Sequence, residues 1–428
     1  MKVIDYIREF WKKISKRNLK TSDEICELKK KIVNLQRKQN ERSMKFKDIF
    51  NDDLTPNWEL IETIPEFNVL SVTEQSSAWH QEGDALTHTK MVAKEMWDYL
   101  NSTYVESSES YKLMMMAAAV CHDLGKGCTT FFNKEKNDWE CKRHGFESAR
   151  ITRTLFFDED LELREAVCYI CRWHMTLHHI FDKPERTNKA LMRLSLGPVI
   201  LRDMNVFQMC DSYGSINEET REYIYEKTMK IKDAAEQLHC YMGSCDAFYN
   251  TWHRIKFFLG RDYVNPNEIE VPAESYNPEF EVVVMVGVPG AGKDWYCEHN
   301  LPDYKMLSRD IIRSEIGLKG EKPQGNKEQE NEVTRIFDER MKEYCESKTS
   351  FVINNTNVRR QYRDGYLEKI LPYYPRVKYV YCEAPSLEVN KERRRSMMPE
   401  KVIDRMWKDF DYPEGIEYYS MEINKQTK

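Results

Sequence analysis

The chain has 428 residues, of which 41% are hydrophobic and 32% charged, and its net charge is -6 at pH 7. This length suits two or three domains, and the composition excludes a chain that is disordered throughout. The net charge excludes a generally basic nucleic-acid coat, so contacts with nucleic acid must come from local basic clusters. No apolar stretch is long enough for a signal peptide or a membrane span, and the 12 cysteines are scattered, so we expect a cytoplasmic protein with reduced thiols.

Residues 1–50 are rich in Lys, Arg and Glu, and their apolar residues recur every three or four positions. This spacing predicts a charged helix with one apolar stripe, formed by Ile25, Leu28, Ile32 and Leu35. The stripe could pair in a short coiled coil or pack on the next domain, and the small number of heptads favours packing. The oligomeric state stays open.

Residues 51–260 are predicted to form a helical domain, because helical segments such as Leu86–Leu100 and Leu163–His174 alternate with polar turns. Residues 261–280 contain three prolines and little apolar periodicity, which is typical of a linker. In residues 281–428, apolar runs suited to strands alternate with helical stretches. The predicted fold class is therefore an all-α domain followed by an α/β domain with a parallel sheet.

Seven of the ten histidines lie between positions 80 and 179, which is an unusual density for a helical domain. The most compact group is His122-Asp123 in AAAVCHDLGKG, where an apolar helix ends and Gly125 turns the chain. Imidazole and carboxylate groups are ligands for divalent transition metals, and helical domains build such centres from side chains on several helices. The sequence therefore predicts an internal metal site.

These segments resemble the HD phosphohydrolase superfamily, through ALTHT, CHDLGKG, RHGFESA, RWHMTLHH and MCDSYGS. The resemblance implies an α-helical metal phosphohydrolase in which four residues hold one divalent transition metal: His88, His122, Asp123 and Asp211. His144 and His174 would hold a second metal or bind the scissile phosphate, and Lys126 would contact substrate phosphate. Whether there are one or two metals, and which metal it is, stays open. Isolated histidines such as His80 and His178 are interpreted as surface or core residues.

Residues 282–293, VVVMVGVPGAGK, predict a buried strand that runs into a phosphate-binding loop. Glycines let backbone N–H groups face phosphate oxygens, and the lysine supplies a cation. Asp294 departs from the G-x-x-x-x-G-K-[ST] pattern, since a Ser or Thr hydroxyl would touch Mg²⁺ there; it could reach the metal directly or through water, or weaken the site. Seven residues are expected to bind ATP or another nucleoside triphosphate with Mg²⁺: Gly287, Gly290, Ala291, Gly292, Lys293, Asp294 and Trp295.

In KMLSRDIIRSEIG, a short strand ends where ligands bind in open α/β sheets, at the carboxyl edge. Asp310 at that edge can accept a hydroxyl proton from a phosphoryl acceptor, and Arg313, one turn later, can hold an anionic group of the same acceptor. Capping of the following helix is a second role for Asp310. The basic segment Lys391–Arg395, here called the lid, places Arg393 and Arg395 where they could fold over a nucleotide or form a solvated helix face.

This half resembles the phage-type polynucleotide 5′-kinase family, through GVPGAGK, SRDIIR, NNTN and MPEKVIDRM. The resemblance implies that Asp310 is the general base for a 5′-hydroxyl and that Arg313 grips a neighbouring phosphate. It also implies that Lys293 and a lid arginine stabilise the transferred phosphate. Asp294 and Asn355 depart from the family pattern at positions that handle the metal or the acceptor.

An HD domain followed by such a kinase is the order found in the bacterial HD-Pnk end-healing proteins, which the whole chain resembles. The resemblance implies an enzyme for RNA or DNA ends that phosphorylates 5′-OH ends with ATP and hydrolyses 2′,3′-cyclic or terminal phosphates with a metal. It also implies a partner RNA ligase. One alternative is an HD phosphohydrolase of nucleotides or other small molecules with a metabolite kinase or a regulatory nucleotide-binding domain. Another is a degenerate, nucleotide-gated binding module.

Overall fold

The computed structural model describes six stretches of the chain: residues 44–102, 108–216, 219–261, 265–318, 326–394 and 397–426. The chain divides into two compact units, Met1–Ser244 and Cys245–Lys428. The predicted N-terminal amphipathic helix lies outside the described residues, and so does Arg395 of the lid. Within the described stretches, no helix is both long enough and apolar enough to cross a bilayer.

The N-terminal unit is helical apart from one antiparallel ribbon, which the all-α prediction did not include. The ribbon pairs β1, Thr130–Asn133, with β2, Asp138–Cys141. The α-helices of the N-terminal unit are α1 Trp58–Ile61, α2 Pro65–Asn68, α3 Ala85–Leu100, α4 Glu109–Cys121, α5 Lys126–Thr129, α6 His144–Leu155, α7 Leu161–His178, α8 Pro184–Leu194, α9 Leu201–Tyr213 and α10 Arg221–Gln237. Two short 3₁₀ helices are Phe46–Ile49 and Val69–Val72.

Helix α4 lies at the centre of this unit. Every residue from Met115 to Cys121 is 0% exposed, and the helix packs against α3, α7 and α9. A helix that is apolar all round must be buried on every side. The end of α4, where His122 and Asp123 follow Cys121, is therefore carried into the interior.

The C-terminal unit is an α/β fold around a five-stranded sheet, as predicted. The strands are β3 Glu281–Val286, β4 Lys305–Leu307, β5 Phe351–Ile353, β6 Arg376–Glu383 and β7 Ser420–Lys425. Their order is β4-β5-β3-β6-β7, and each neighbouring pair is parallel. The α-helices are α11 Thr251–Leu259, α12 Lys293–Asn300, α13 Arg309–Glu315, α14 Lys327–Glu346, α15 Arg360–Ile370, α16 Leu387–Arg394 and α17 Glu400–Lys408.

The central strand β3 leads into the phosphate-binding loop. Val282 to Val286 are all 0% exposed, as expected for a strand with helices on both faces of its sheet. The chain leaves β3 for β4 on one side and later returns to β6 on the other. The carboxyl ends of β5 and β6 therefore flank the loop.

Helix α11 belongs to the C-terminal unit, although the sequence analysis placed residues up to 260 in the helical domain. Trp252 Nε1–H donates to the carbonyl oxygen of Leu371, and an Arg254 Nη2–H donates to that of Tyr418, both at 2.9 Å. Apolar periodicity predicts a helix but not the core on which it packs. The described part of residues 261–280 accordingly lies within the C-terminal unit.

A buried ion pair fixes the loop before β7. Arg363 and Glu417 are 0% and 1% exposed. Arg363 donates to the two carboxylate oxygens of Glu417 at 2.7 and 3.1 Å, and to the carbonyl oxygens of Asn357 and Asp411, each at 3.0 Å. Burial opposes ionisation of Glu417, but the charge of Arg363 outweighs burial and lowers the pKa of the carboxyl. The pair joins α15 to the approach to β7.

We expect Glu417→Gln to lower the free energy of unfolding of the C-terminal unit by about 3–5 kcal/mol at pH 7, because the Arg363 charge stays buried without a carboxylate. The pKa of Glu417 lies below its ordinary value of 4.5, so the advantage of the wild type should be full above pH 4.5 and decline as the pH falls further. Chemical denaturation of the full chain, with hydrogen exchange in β6 and β7, measures both effects.

Asp338→Asn is the matched control, because Asp338 and Lys369 form an ion pair whose side chains are 39% and 50% exposed. An exposed pair contributes about 0–1 kcal/mol. Equal losses of stability in the two variants would contradict the assignment of a stabilising role to the buried pair.

Candidate metal centre and nucleotide site

The predicted metal ligands converge in the interior of the N-terminal unit. Each is at most 5% exposed, and they come from the first turn of α3, the end of α4, the start of α6, the C-terminal half of α7 and the end of α9. The six are His88, His122, Asp123, His144, His174 and Asp211. Helix α3 begins where Asp84 accepts a hydrogen bond from the backbone N–H of Thr87 at 2.9 Å, which places His88 one turn inside.

A backbone carbonyl orients each histidine of this cluster through Nδ1. The four contacts span 2.8–3.1 Å: His88 with Gly214, His122 with Ala119, His144 with Cys141 and His174 with Cys171. A carbonyl oxygen only accepts hydrogen bonds, so each neutral ring carries its proton on Nδ1 and keeps the lone pair on Nε2. This is the tautomer that a metal-binding histidine needs.

The Asp123 carboxylate lies between two groups of imidazoles. Its Oδ2 is 3.6 Å from His88 Nε2 and 3.2 Å from His122 Nε2. Its Oδ1 is 3.4 Å from His144 Nε2 and 3.8 Å from His174 Nε2. Asp123 is therefore within reach of both groups, and it would be a ligand common to the two if each group held a metal ion.

Asp211 closes the first group of ligands. Its Oδ1 lies 3.1 Å from His88 Nε2 and 3.4 Å from His122 Nε2, and its Oδ2 lies 2.9 Å from His178 Nε2. The sequence analysis interpreted His178 as a surface or core residue. It stands four positions after His174 on α7, so helical spacing was the signal that could have placed it near the cluster.

The cluster fits a divalent cation. His122 Nε2 and Asp123 Oδ1 are buried without a hydrogen-bond partner, and such atoms cost free energy unless a ligand satisfies them. Burial opposes ionisation of Asp123, but its interactions with His122 and Lys126 hold the pKa of this carboxyl well below the usual range. The carboxylate is therefore ionised, as a metal ligand must be.

Gly125 and Lys126 follow the His122-Asp123 pair, and each makes a distinct contact next to it. Lys126 is 4% exposed; its Nζ lies 2.7 Å from Asp123 Oδ2 and donates to Gln75 Oε1 at 2.6 Å. A Cβ at Gly125 would overlap the carbonyl oxygen of His144, so only glycine lets the chain after α4 approach the start of α6. Lys126 is thus the buried cation next to the predicted metal ligands.

Two residues on the loop before α3 extend the cluster outward. Glu82 Oε1 lies 2.8 Å from His80 Nδ1 and 3.2 Å from His88 Nδ1, and His80 Nε2 lies 3.5 Å from Lys126 Nζ. The sequence analysis interpreted His80 as a surface or core residue and did not single out Glu82. Nothing in the local pattern marks this carboxylate, because its partners are set by how the loop folds back on the helices.

The phosphate-binding loop has the conformation that its glycines predict. Gly290 and Gly292 have φ angles of +82° and +88°, in the left-handed region that favours glycine. Lys293 is 8% exposed, and its Nζ donates to the carbonyl oxygens of Gly287 and Val288 at 2.9 and 3.1 Å. Burial lowers the pKa of this lysine. The loop therefore holds a buried cation where phosphate oxygens would bind.

The other predicted loop residues differ in their surroundings. Ala291 is fully buried, whereas Trp295 is 53% exposed and stacks on His299 with ring centroids 4.3 Å apart. Asp294 Oδ1 accepts a hydrogen bond from Asn354 Nδ2 at 2.7 Å, and Asp294 Oδ2 lies 3.5 Å from a guanidinium nitrogen of Arg394. The residue that departs from the loop pattern thus contacts both the end of β5 and the lid.

Asp310 and Arg313, which are predicted to act on the phosphoryl acceptor, lie together on α13. The Asp310 side chain is 80% exposed, and its Oδ1 accepts a hydrogen bond from Arg313 Nη1 at 2.7 Å. Arg313 also donates from Nε and Nη2 to the two oxygens of Glu330 on α14, each at 2.8 Å. Glu330 was missed, since its contact with Arg313 joins two helices and no motif contains both residues.

Helix α16, which carries the described residues of the lid, contacts the backbone of the phosphate-binding loop. Asn390 Nδ2 donates to the carbonyl oxygen of Pro289 at 3.1 Å. Arg393 Nη1 donates to the carbonyl oxygen of Gly290 at 3.0 Å and to Gln426 Oε1 at 2.5 Å. Arg393 is therefore next to the phosphate-binding loop.

Comparison with protein families gives a match in each of the two units. Residues 86–210 match the HD domain family, and residues 282–413 match the AAA domain family AAA_33. The first range contains five of the six predicted metal ligands and ends one residue before Asp211. The second contains the phosphate-binding loop, Asp310 and Arg393. The chain therefore combines a helical region that matches the HD domain family with an α/β region that contains a P-loop and matches the AAA domain family AAA_33.

The chain also resembles parts of several curated proteins. It is 27% identical over 158 residues to heterogeneous nuclear ribonucleoprotein U-like protein 2 of Mus musculus, which covers 33% of this chain and 21% of that protein. It is 25% identical over 166 residues to the multifunctional CCA protein of Mannheimia succiniciproducens, with 37% of each chain covered. The chain thus spans well under half the length of either relative.

Among solved structures, a candidate kinase from Chloroflexus aurantiacus is 14% identical to this chain. The superposed region includes 35% of this chain and 86% of that kinase. Its TM-score is 0.29, and at that value the superposition supports no functional conclusion.

If Asp123 bridges two metal ions, the variants at the cluster should differ in metal content. We expect about two Mn²⁺ per chain in the loaded wild type, about one in His174→Ala and none in Asp123→Ala, because only the aspartate serves both groups of imidazoles. Elemental analysis after desalting without nucleotide measures the content. His179→Ala is the control, since that side chain is 62% exposed and pairs with Asp182. A folded Asp123→Ala chain that keeps one ion would contradict the bridging role.

Proposed function

We propose that this chain is a bifunctional enzyme that heals RNA ends: its P-loop domain phosphorylates 5′-OH ends with ATP, and its HD domain hydrolyses 2′,3′-cyclic or terminal phosphates. The observation that carries the proposal is the pairing in one chain of two complete sets of residues. One is the buried cluster of six candidate metal ligands, and the other is a phosphate-binding loop together with Asp310 and Arg313, the candidate acceptor-binding residues. The two reactions together would prepare both ends of a broken strand for a ligase.

In the kinase half, Lys293 would hold the phosphates of the nucleotide and Asp310 would accept the proton of the attacking hydroxyl. Arg313 lies 2.7 Å from Asp310 and would bind a phosphate of the same acceptor, with Glu330 fixing its guanidinium. Arg393, whose Nη1 lies 3.0 Å from the carbonyl oxygen of Gly290, would neutralise charge on the transferred phosphoryl group.

The exposure of Asp310 favours a polymer end over an enclosed metabolite. With its side chain 80% exposed, the candidate base can meet a hydroxyl at the end of a long chain. One partial relative is a heterogeneous nuclear ribonucleoprotein U-like protein, and this reference to RNA supports the same class of acceptor.

In the HD half, His88, His122, Asp123 and Asp211 would hold one metal, and His144 and His174 with Asp123 would hold a second. A bound divalent metal would supply a Lewis acid and lower the pKa of a water that it holds. Lys126, buried at 4% exposure, would contact the substrate phosphate at the edge of the cluster. The Nδ1 contacts with backbone carbonyls keep the imidazoles in position during the reaction.

Labelled phosphate transfer tests the kinase half. The full chain with Mg²⁺ and ATP labelled on the γ-phosphate should label a 5′-OH RNA oligonucleotide, and Asp310→Ala should lower the rate by about 10²–10⁴-fold because the base is lost. Asp303→Ala, which removes another exposed acid of this unit, should keep the wild-type rate. Unlabelled mononucleotide in excess should compete poorly. Strong competition would instead support a small-molecule kinase, and no transfer to any acceptor would support a binding module.

The two activities should be separable by single substitutions. Asp123→Ala should abolish hydrolysis of a 2′,3′-cyclic phosphate RNA end and retain 5′ phosphorylation, because the ligand lies in the other unit. Asp310→Ala should show the reverse. Electrophoresis of end-labelled RNA follows both reactions in one sample. Hydrolysis that persists in Asp123→Ala would refute the assignment of this reaction to the metal cluster.

A further inference from the structure

We infer that Gln75 binds the phosphate group of the substrate beside Lys126, a role that rests on the proposed hydrolysis of phosphate ends by the HD domain. Gln75 precedes residues 86–210, which match the HD domain family, and it stands in none of the motifs that contain the candidate metal ligands. Its side chain nevertheless reaches the cluster, because its Oε1 accepts a hydrogen bond from Lys126 Nζ at 2.6 Å.

Lys126 determines which end of the Gln75 amide faces it. A lysine ammonium group has three hydrogen-bond donors and no acceptor, so the amide oxygen must face Nζ. The opposite assignment of the amide would set two donors against each other. The amide nitrogen, with its two N–H groups, is therefore the end that faces away from the lysine.

This amide nitrogen is buried without a partner. Gln75 is 8% exposed, and its Nε2 meets no hydrogen-bond acceptor among the residues that the structure describes. Buried donors in native proteins are almost always paired, because a donor that has lost its contacts with water costs free energy. The oxygens of a phosphate group accept strong hydrogen bonds, and the positive charge of Lys126 favours an acceptor that is negatively charged.

The backbone on both sides of Gln75 is anchored. Glu74 pairs with Asp84 in an antiparallel bridge just before α3, and the hydroxyl of Ser76 donates to the carboxylate of Asp138 on β2. The amide is therefore held in the interior before a ligand arrives. A donor that is already in place loses little freedom on binding.

His80 forms the exposed side of the contacts that Lys126 makes. Lys126 Nζ lies 3.5 Å from His80 Nε2, whereas its contacts with Gln75 and Asp123 span 2.6–2.7 Å. The His80 side chain is 22% exposed, and Gln75 and Asp123 are 8% and 1% exposed. A phosphate that arrives from solvent would therefore replace His80 at the lysine and would then reach the neighbouring amide.

A double-mutant cycle on phosphate binding separates this role from a rival, in which Gln75 only positions Lys126. Titration calorimetry measures the dissociation constant of inorganic phosphate for the Mn²⁺-loaded full chain. Lys293→Ala in every sample removes phosphate binding at the loop. The variants are Gln75→Met, Lys126→Ala and the two combined. Gln81→Met is the matched control, because it makes the same change at an exposed position of the same segment.

We expect Gln75→Met to weaken phosphate binding at least about tenfold, because a hydrogen bond to a charged group is lost. The factor should be similar when Lys126 is already alanine, and Gln81→Met should leave binding unchanged. An effect of Gln75→Met below about twofold in the Lys126→Ala chain would overturn the inference, since the glutamine would then act only through the lysine. Loss of Mn²⁺ from Gln75→Met, measured by elemental analysis, would overturn it as well, because the residue would then support the metal ligands.

Gln75→Glu is the second variant, and it decides the question if the methionine variant does not fold. It keeps the shape of the side chain and the acceptor for Lys126, but it replaces the amide donor with a carboxylate oxygen. It should abolish phosphate binding, whereas Gln81→Glu, with the same added charge, should change it little. Binding by Gln75→Glu within about twofold of the parent chain would contradict the contact.

The same samples distinguish a failure of the contact from a failure of the proposed hydrolase. A parent chain that binds no phosphate would contradict the inference directly. Phosphate binding without hydrolysis of a 2′,3′-cyclic phosphate RNA end by the wild type would refute the proposed hydrolase and leave the contact in place.

Discussion

A carboxylate buried away from water sets the organisation of the N-terminal unit. Asp123 is 1% exposed at the end of an apolar helix, and an unpaired charge in such a place costs several kcal/mol. Helices α3, α6 and α7 each place an imidazole next to the Asp123 carboxylate. The ammonium group of Lys126 lies beside the same carboxylate. Backbone carbonyls hold the imidazoles in the form that binds metal, so the helix ends and the ligands are positioned together.

The C-terminal unit solves a different problem with a parallel sheet. Because all its strands run the same way, the polar residues that follow β3, β4 and β5 meet at one edge. Lys293 stands at the end of the loop that follows β3, Asp310 lies three residues after the end of β4, and Asn354 comes directly after β5. The segments that follow these strands therefore bring the loop lysine and the candidate base to the same edge of the sheet.

Residues within local motifs could be predicted, whereas contacts with residues outside those motifs could not. The Gly287–Lys293 loop stands in a motif that indicates phosphate binding. The His122-Asp123 pair stands in a motif that indicates metal binding. Glu82 and Glu330 act through partners on other elements, which no local pattern shows. Strand β7 was also missed, since its residues are half-buried or exposed and lack a continuous apolar run. Helix α11 was predicted as a helix, but the spacing of its apolar residues does not indicate which of the two units it packs in.

The close approach at Gly125 has a consequence for finding similar centres in other helical chains. The glycine holds no ligand and contacts no phosphate, and its importance is the volume that it leaves empty. Any side chain there would displace the backbone carbonyl of His144, and the imidazole of the same residue would move with it. A search that weighs only histidines and aspartates would accept chains in which two helices cannot come together. Requiring a residue without a Cβ two positions after the aspartate adds a steric criterion that ligand chemistry alone does not supply.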